Sequence, residues 1–146
     1  MQKKVIISIL GQQEFAGQEM DSTEFVTEGP ISKTEYGFLL EYDESELTGM
    51  EGTHTAFQIR PSSVSLVRSG AFKSEMVFER NKKHYTPYET PYGTMTLDII
   101  THELESTITE DGGDLNIRYA IEIQHQLTGI NRFLIKVRNT AAELKQ

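Results

Sequence analysis

Residues 115–127 read LNIRYAIEIQHQL, an unbroken alternation of two kinds of side chain. One set is almost entirely apolar and comprises Leu115, Ile117, Tyr119, Ile121, Ile123, His125 and Leu127. The other set is mainly polar and includes Asn116, Arg118, Glu122, Gln124 and Gln126. Because successive side chains of a strand point to opposite faces, this pattern predicts a strand whose first set, with His125 in it, faces a core.

A tight turn is predicted just upstream, at Asp111-Gly112-Gly113-Asp114, because two glycines tolerate the positive φ of a two-residue hairpin loop. The flanking strands then pair antiparallel, with Ser106 opposite Tyr119 and His102 opposite Ile123. This register gives the first strand an inward set of Ile100, His102, Leu104, Ser106 and Ile108. The apolar parity changes before that set, to Met95, Leu97 and Ile99, which predicts a β-bulge near residues 98–100.

Similar runs, broken at short intervals by Gly, Pro, Asn or Asp, cover most of the chain. They predict an all-β fold, a mainly antiparallel meander of roughly eight to ten strands that closes into a barrel. The strand from Phe25 to Lys33 contains Gly29-Pro30. Since proline cannot donate to a ladder, we expect this strand at an edge, bulged or broken. Only Ala141–Gln146 has a helical pattern.

Length and composition narrow the classes of protein further. A chain of 146 residues can bury roughly two thirds of its unfolded surface, so one β-barrel domain over residues 1–146 is expected. The sequence has no cysteine, hence no disulfide framework, and its formal net charge is −8. That charge argues against nucleic-acid binding, which needs a basic surface. The apolar run after Met1 is too short for a signal-peptide core and nothing approaches a membrane span, so we expect a cytoplasmic protein without membrane contact.

The candidate functional residues are polar side chains that the alternation places inside the barrel. Arg68 and Tyr42 each extend an apolar inward face. Because a guanidinium stays charged, an inward Arg68 requires a carboxylate partner, an anionic ligand, or water at a barrel mouth. His102 and His125 are expected about one cross-strand step apart, with Tyr119 two pairs further on.

Residues 85–93 read YTPYETPYG, with three tyrosines and two prolines in nine positions. Steps of the X-Pro type favour extended backbone, and tyrosine combines a large ring with a polar tip. Two arrangements fit this composition. Either Tyr88 and Tyr92 line or cover an opening, or a stiff crossing strand brings its tyrosines in to plug the barrel end.

Catalytic and metal-binding constellations do not stand out in the sequence. His102 and His125 have no third ligand at a supporting spacing, which argues against a metal site. No Ser-His-Asp set can be assembled, and no pair of carboxylates converges on one cleft. The sequence therefore predicts no metal and no cofactor, and it favours a protein that is not an enzyme.

Five motifs follow one another along nearly the whole chain: Glu41-Tyr42-Asp43, Arg68-Ser69-Gly70, Met76-Val77-Phe78, Tyr88-Glu89-Thr90-Pro91-Tyr92-Gly93 with Thr101 after it, and Gly113-Asp114-Leu115 followed by Tyr119. In order and spacing they resemble the YwiB-like proteins, a family of uncharacterised bacterial proteins with a lipocalin-like (calycin-type) β-barrel. The resemblance implies that barrel and a bacterial cytoplasmic protein. It implies no activity, because fold does not fix function.

Three functions from different classes remain open. The first is a binding barrel that holds a small, anionic ligand, with Arg68, His102, Tyr119 and His125 in the lumen and Tyr42, Tyr88 and Tyr92 completing the set. The second is a structural or partner-binding module whose barrel is filled by side chains, and the third is an enzyme with a lumen histidine as general base. Interior volume separates the first two, because the aromatic side chains could fill the barrel: Phe25, Phe38, Phe57, Phe72, Phe78, Tyr119 and Phe133. We favour ligand binding.

Overall fold

The computed structural model describes residues 2–14, 21–71, 73–90 and 92–140, with the backbone alone for residues 88–90. The strands are β1 (Gln2–Glu14), β2 (Asp21–Lys33), β3 (Phe38–Asp43), β4 (Thr53–Ile59), β5 (Ser63–Gly70), β6 (Ser74–Glu79), β7 (Lys83–Thr90), β8 (Gly93–Ser106), β9 (Gly112–Ile123) and β10 (Gln126–Asn139). They form one antiparallel sheet in the order β6-β5-β4-β3-β2-β1-β10-β9-β8-β7. The all-β class is confirmed. The nearly closed, barrel-shaped sheet is consistent with the lipocalin-like barrel.

Two parts of the sequence-based interpretation are not decided by this architecture. The helix predicted at Ala141–Gln146 lies outside the described residues, as does Phe72. All ten strands belong to one sheet, but the single-domain interpretation of residues 1–146 stays a prediction. Over the described ranges, no helix is long and apolar enough to cross a membrane.

The barrel closes at a seam between β6 and β7, the two ends of the strand order. There the turn that joins them bonds to β8. The Asn81 N–H donates to the Thr101 carbonyl at 2.9 Å, and the Thr101 N–H donates to the Lys82 carbonyl at 3.2 Å. The Arg80 guanidinium donates to the Leu104 carbonyl. These bonds satisfy backbone groups that an open sheet edge would otherwise expose.

The interior is packed by the alternate side chains of the strands, among them the fully buried Val5, Ile7, Ile31, Leu40, Phe57, Leu66, Phe78, Ile99 and Ile117. A chain of ring contacts runs through this core. Ring centroids are 6.0 Å apart for Phe25 and Tyr42, 6.4 Å for Tyr42 and Phe57, and 6.1 Å for Phe57 and Phe133. Tyr119 continues the chain, 5.9 Å from Phe133 and 4.7 Å from Phe78. Aromatic side chains therefore fill much of the lumen.

The hairpin between β8 and β9 forms as predicted, with Tyr119 buried, but its register is different. Thr109 pairs with Gly112, so the loop residues are Glu110 and Asp111, two positions earlier than predicted. The Thr109 hydroxyl accepts the Asp111 N–H at 3.2 Å. This side-chain hydrogen bond helps to start the turn at Thr109. A threonine hydroxyl can compete in this way with the hydrogen bonds of the ladder, and the position of the glycines alone does not predict it.

The predicted β-bulge exists, but it lies between Thr101 and Glu103 rather than near residues 98–100. The observed pairs include Thr101 with Tyr119 and Leu104 with Ile117. Leu104 and Ile108 are buried as predicted, whereas the inward placement of His102 and Ser106 is wrong because both are exposed. His102 occupies the bulge itself, where the alternation of faces is interrupted.

The strand predicted to continue to Leu127 ends at Ile123, and the chain reverses at Gln124 and His125. Both turn residues have positive φ, 53° and 67°. The inward placement of His125 is therefore wrong. Two-residue hairpins favour Asn and Gly at such positions, so a Gln-His turn carries no recognisable signal in the sequence.

The edge expected around Gly29-Pro30 is found only locally, because β2 lies between β1 and β3 in the strand order. β2 pairs with β1 from Asp21 to Ser32, but β3 reaches it only at Ile31, Ser32 and Lys33. Residues 21–30 of β2 thus have one ladder, where the missing N–H of Pro30 is tolerated.

Candidate functional site

A cavity of about 630 Å³ opens where β2 loses its second neighbour. The β1–β2 hairpin supplies one part of its lining and the loop after β3, residues 44–50, supplies another. Strands β3, β5, β6, β9 and β10 contribute the rest. This size lies within the range of about 300 to 1,000 Å³ that is common for small-molecule sites.

Arg68 and Glu44 are the most buried of the charged side chains that line this cavity. The side chain of Arg68 is 15% exposed and that of Glu44 is 1% exposed, with the Arg68 Nε 3.9 Å from the Glu44 Oε2. Arg68 Nε makes no hydrogen bond within the described part of the chain. The inward Arg68 is therefore confirmed, and it has the carboxylate neighbour that burial of a guanidinium requires.

Two threonine hydroxyls satisfy the Glu44 carboxylate. Thr48 donates to Oε1 at 2.9 Å, and Thr55 donates to Oε2 at 2.5 Å. Because both oxygens already accept hydrogen bonds and the Arg68 contact is long, the ion pair leaves guanidinium donors available to a molecule in the cavity.

Tyr42 and Tyr119 lie beside this pair, and both are buried at 4% exposure. Burial raises the pKa of the Tyr42 hydroxyl, and the charge of Glu44 raises it further. Burial also raises the pKa of Tyr119, against the opposing effect of Arg68. Both hydroxyls therefore stay protonated at ordinary pH. The Tyr42 hydroxyl interacts with Glu44, whereas the Tyr119 hydroxyl can donate a hydrogen bond to an anion.

The rest of the lining joins apolar side chains to a polar rim. Phe25, Met76, Ile121 and Phe133 contribute the apolar part. Asp21 and Arg132 also line the cavity, and Arg132 donates to Glu103 at 2.8 Å. The cavity thus offers apolar area next to one buried cation, an arrangement that suits an amphiphilic anion.

Other predicted site residues lie elsewhere. His102 and His125 are exposed, and no histidine is among the described residues that line the cavity. The general base that the enzyme hypothesis placed in the lumen is therefore not supplied by either residue. His125 nevertheless contacts a buried carboxylate, since its Nδ1 lies 3.3 Å from Asp98 Oδ2.

Residues 85–90 of the tyrosine-rich segment belong to β7, an edge strand that pairs only with β8 among the described strands. Tyr92 is 99% exposed, so the prediction that it lines or plugs an opening is wrong. The side chain of Tyr88 lies outside the described residues. Pro87 explains the placement, because a proline can occupy an edge strand without breaking a ladder.

Sequence analysis missed Glu44 and Thr55, although the signal was present. The inward face of β3 carries Leu40 and Tyr42, and the same period of two leads to Glu44. Thr55 alternates with Phe57 on β4 in the same way. Glu44 lies in a run of charged residues, and such runs are usually exposed, so composition alone argues against an inward Glu44.

A separate cluster of histidine and carboxylates lies on the outside of β3 and β4. His54 Nδ1 is 2.9 Å from Asp43 Oδ1, and His54 Nε2 is 3.3 Å from Glu41 Oε1. Only the protonated ring can donate to both carboxylates. The hydrogen bond to Asp43, followed by the contacts with Glu41, raises the pKa of His54.

We expect the His54 imidazole to titrate above its ordinary pKa of 6.5, and Asp43→Asn to lower that pKa. The folded pKa exceeds the unfolded one, so this cluster stabilises the fold below the unfolded pKa. The stabilisation is lost as the pH rises through the folded pKa. NMR titration of the ring protons checks the shift, and an unchanged pKa in Asp43→Asn would contradict the assignment.

The comparisons with known proteins agree with the fold described above. The crystal structure of the ywiB protein from Bacillus subtilis superposes with a TM-score of 0.81 at 19% sequence identity, covering 94% of this chain and 92% of that one. The TM-score establishes a shared fold, and at this sequence identity the likeness shows the fold alone. Comparison with curated proteins gives no match. The resemblance to the YwiB-like proteins is confirmed. A family model described as "Domain of unknown function (DUF1934)" matches residues 7–135, and the chain belongs to that family.

Proposed function

We propose that this protein is a small-molecule binding barrel whose cavity takes an amphiphilic anion, with Arg68 orienting the anionic group. The observation that carries the proposal is Arg68 itself. It is a largely buried guanidinium on the wall of a cavity of about 630 Å³, and its carboxylate neighbour makes no short bond to it. A charge is costly to hold in such a place unless it is compensated, and a bound anion would complete that compensation.

The two neighbouring phenols support the same conclusion. Tyr42 and Tyr119 stay neutral, since burial raises the pKa of each. The Tyr119 hydroxyl can therefore add a hydrogen bond to the anion that Arg68 attracts, while the Tyr42 hydroxyl interacts with Glu44. Phe25, Met76 and Phe133 would cover the apolar body of the ligand, and burial of that body would supply most of the affinity.

A pair of fluorescent probes tests the proposal, because they differ in one charge. Anilinonaphthalene sulfonate carries an anionic group on an apolar ring system, and N-phenylnaphthylamine is the same ring system without it. We expect the wild type to bind both, and Arg68→Met to weaken sulfonate binding about tenfold or more, which corresponds to about 1.4 kcal/mol. Binding of the neutral probe should change little, because methionine keeps much of the apolar stem.

The control variant is Arg60→Met, which removes an exposed arginine that donates to Gln58 and Ser65 outside this cavity. It should leave the affinities for both probes unchanged. Equal weakening of the two probes by Arg68→Met would contradict the orienting role. Absence of binding by the wild type would contradict the proposal as a whole.

A second comparison separates the ligand role of Arg68 from its contact with Glu44. If Arg68 served mainly to neutralise Glu44, then Arg68→Met would leave a buried carboxylate uncompensated, and adding Glu44→Gln would restore stability. Under our proposal the double variant still fails to bind the sulfonate probe, whatever its melting temperature. Recovery of probe binding in the double variant would assign Arg68 to the ion pair.

The alternative is a filled barrel that acts through its surface, and the ring contacts from Phe25 to Phe78 favour it for the packed part of the lumen. The cavity at the open end of the barrel, beside residues 21–25 of β2, favours small-molecule binding instead. A cytoplasmic location remains a prediction that accompanies this proposal. Native mass spectrometry of protein purified from cells would show whether an anionic molecule accompanies the chain.

A further inference from the structure

A second candidate site lies on the outer face of β8 and β9, independent of the cavity. Asp98 and Glu122 are directly opposite each other on these strands. His125 joins them from the β9–β10 turn, which is held to β8 by a hydrogen bond of 3.1 Å from the Gln124 N–H to the Thr96 carbonyl. Like charges that face each other across a sheet repel, and the Lys83 ammonium is the cation that lies near both carboxylates in this structure.

The buried group in this cluster is Asp98. Its side chain is only 4% exposed, although it lies on the face of the sheet that points away from the core. Its Oδ2 is buried and makes no hydrogen bond within the described part of the chain. That oxygen is directed into the cluster, 3.3 Å from His125 Nδ1 and 3.5 Å from Lys83 Nζ. The oxygen thus has charged neighbours at 3.3 and 3.5 Å but makes no hydrogen bond to either, so its capacity to accept a shorter bond is unused.

We propose that Asp98, Glu122 and His125 form a binding site for one divalent transition-metal ion of the zinc type. One oxygen from each carboxylate and one imidazole nitrogen lie within 4.8 Å of one another. Ligands at about 2.0 to 2.2 Å from a shared zinc ion lie about 3 to 3.5 Å apart. The separation of 3.3 Å between His125 Nδ1 and Asp98 Oδ2 already meets that spacing, and rotation of the Glu122 side chain completes it.

The ligand set selects the class of ion. An imidazole nitrogen suits zinc, copper, iron or nickel, whereas magnesium and calcium prefer oxygen ligands alone. The three protein ligands leave a fourth position to water. Two carboxylates and a neutral imidazole also balance the charge of a divalent ion.

Lys83 competes for the same place. Its ammonium lies 3.0 Å from Glu122 Oε1 as well as 3.5 Å from Asp98 Oδ2, and its side chain is 50% exposed. The lysine can therefore swing into solvent when a metal ion enters. This competition yields an unusual expectation, because removal of a positive side chain should strengthen metal binding.

Isothermal titration of the tag-free chain with zinc chloride tests the site. We expect one equivalent of zinc per chain, an affinity at least about tenfold lower for His125→Ala, and a higher affinity for Lys83→Met. The matched control is His54→Ala, because His54 also lies between two carboxylates but faces them with different ring nitrogens, and cannot bring one atom to a common ion. The control should bind zinc as the wild type does.

Several results would overturn the proposal. One is a wild type that binds no zinc, even if Lys83→Met does, because the ammonium would then hold the cluster permanently. Another is one-equivalent binding that His125→Ala leaves unchanged, or that His54→Ala abolishes. Magnesium that binds as tightly as zinc would overturn the assignment to a transition metal. All three substituted side chains lie at the surface or are half-buried, so the variants should fold.

Discussion

Replacing Phe57 by alanine is expected to lower the free energy of unfolding by about 3 to 5 kcal/mol. Phe57 is fully buried, and its ring contacts both Tyr42 and Phe133. The substitution removes the transfer free energy of the ring and leaves a hole between two side chains that the strands hold in place. Urea denaturation should show the midpoint falling by more than about 1 M.

The same variant connects the core to the cavity. Tyr42 and Phe133 line the cavity and rest against Phe57, so loss of that ring should loosen the cavity wall and weaken binding of the fluorescent probes. Val26→Ala is the control, because Val26 is 63% exposed, and its effect should stay within about 0.5 kcal/mol. A loss below about 1 kcal/mol for Phe57→Ala would show that this part of the lumen is not closely packed.

Gly113→Ala should cost about 2 kcal/mol or more, the second large effect. Gly113 has φ of 137°, a conformation that side chains disfavour. A Cβ atom there would also lie 2.3 Å from the backbone oxygen of Thr107, so the hairpin itself would have to move. Strain and overpacking act together at this position.

Gly93→Ala separates those two causes. Gly93 has a comparable φ of 122°, but a Cβ atom there meets no atom of the described residues within 4 Å. This variant should lose only the contribution from backbone strain, about 1 kcal/mol. Thermal melting of the two variants side by side measures the difference, and equal destabilisation would show that the close approach to Thr107 does not matter.

Prediction from the sequence succeeded where a physical rule acts along the chain. Alternation of side chains identified Ile117 and Tyr119 as inward, and proline identified the part of β2 that has a single neighbouring strand. The rule failed at residues that interrupt it. A bulge at His102 and a turn at Gln124 and His125 move both histidines to the surface. Neither interruption contains the glycine, proline or asparagine that would announce it.

The residues of the two candidate sites also divide into those that the sequence predicts and those that only the fold brings together. The alternation of side chains within one strand predicts the inward direction of Arg68, Tyr42 and Tyr119, because one strand suffices to define an inward face. The Glu44 carboxylate reaches Arg68 only because β3, β4 and β5 are adjacent in the sheet. The cluster around Asp98 depends likewise on the observed register of β8 and β9 and on the turn after β9.

The sequence by itself determined the all-β class, the approximate number of strands and the inward direction of Arg68, since these depend on local periodicity and turn chemistry. The tertiary structure alone decided the register of the β8–β9 hairpin, the open end of the barrel and the partners of each buried charge. Strand register and barrel closure are set by contacts between residues far apart in sequence. A local pattern of side chains does not contain the free energies of those contacts, so it cannot predict them.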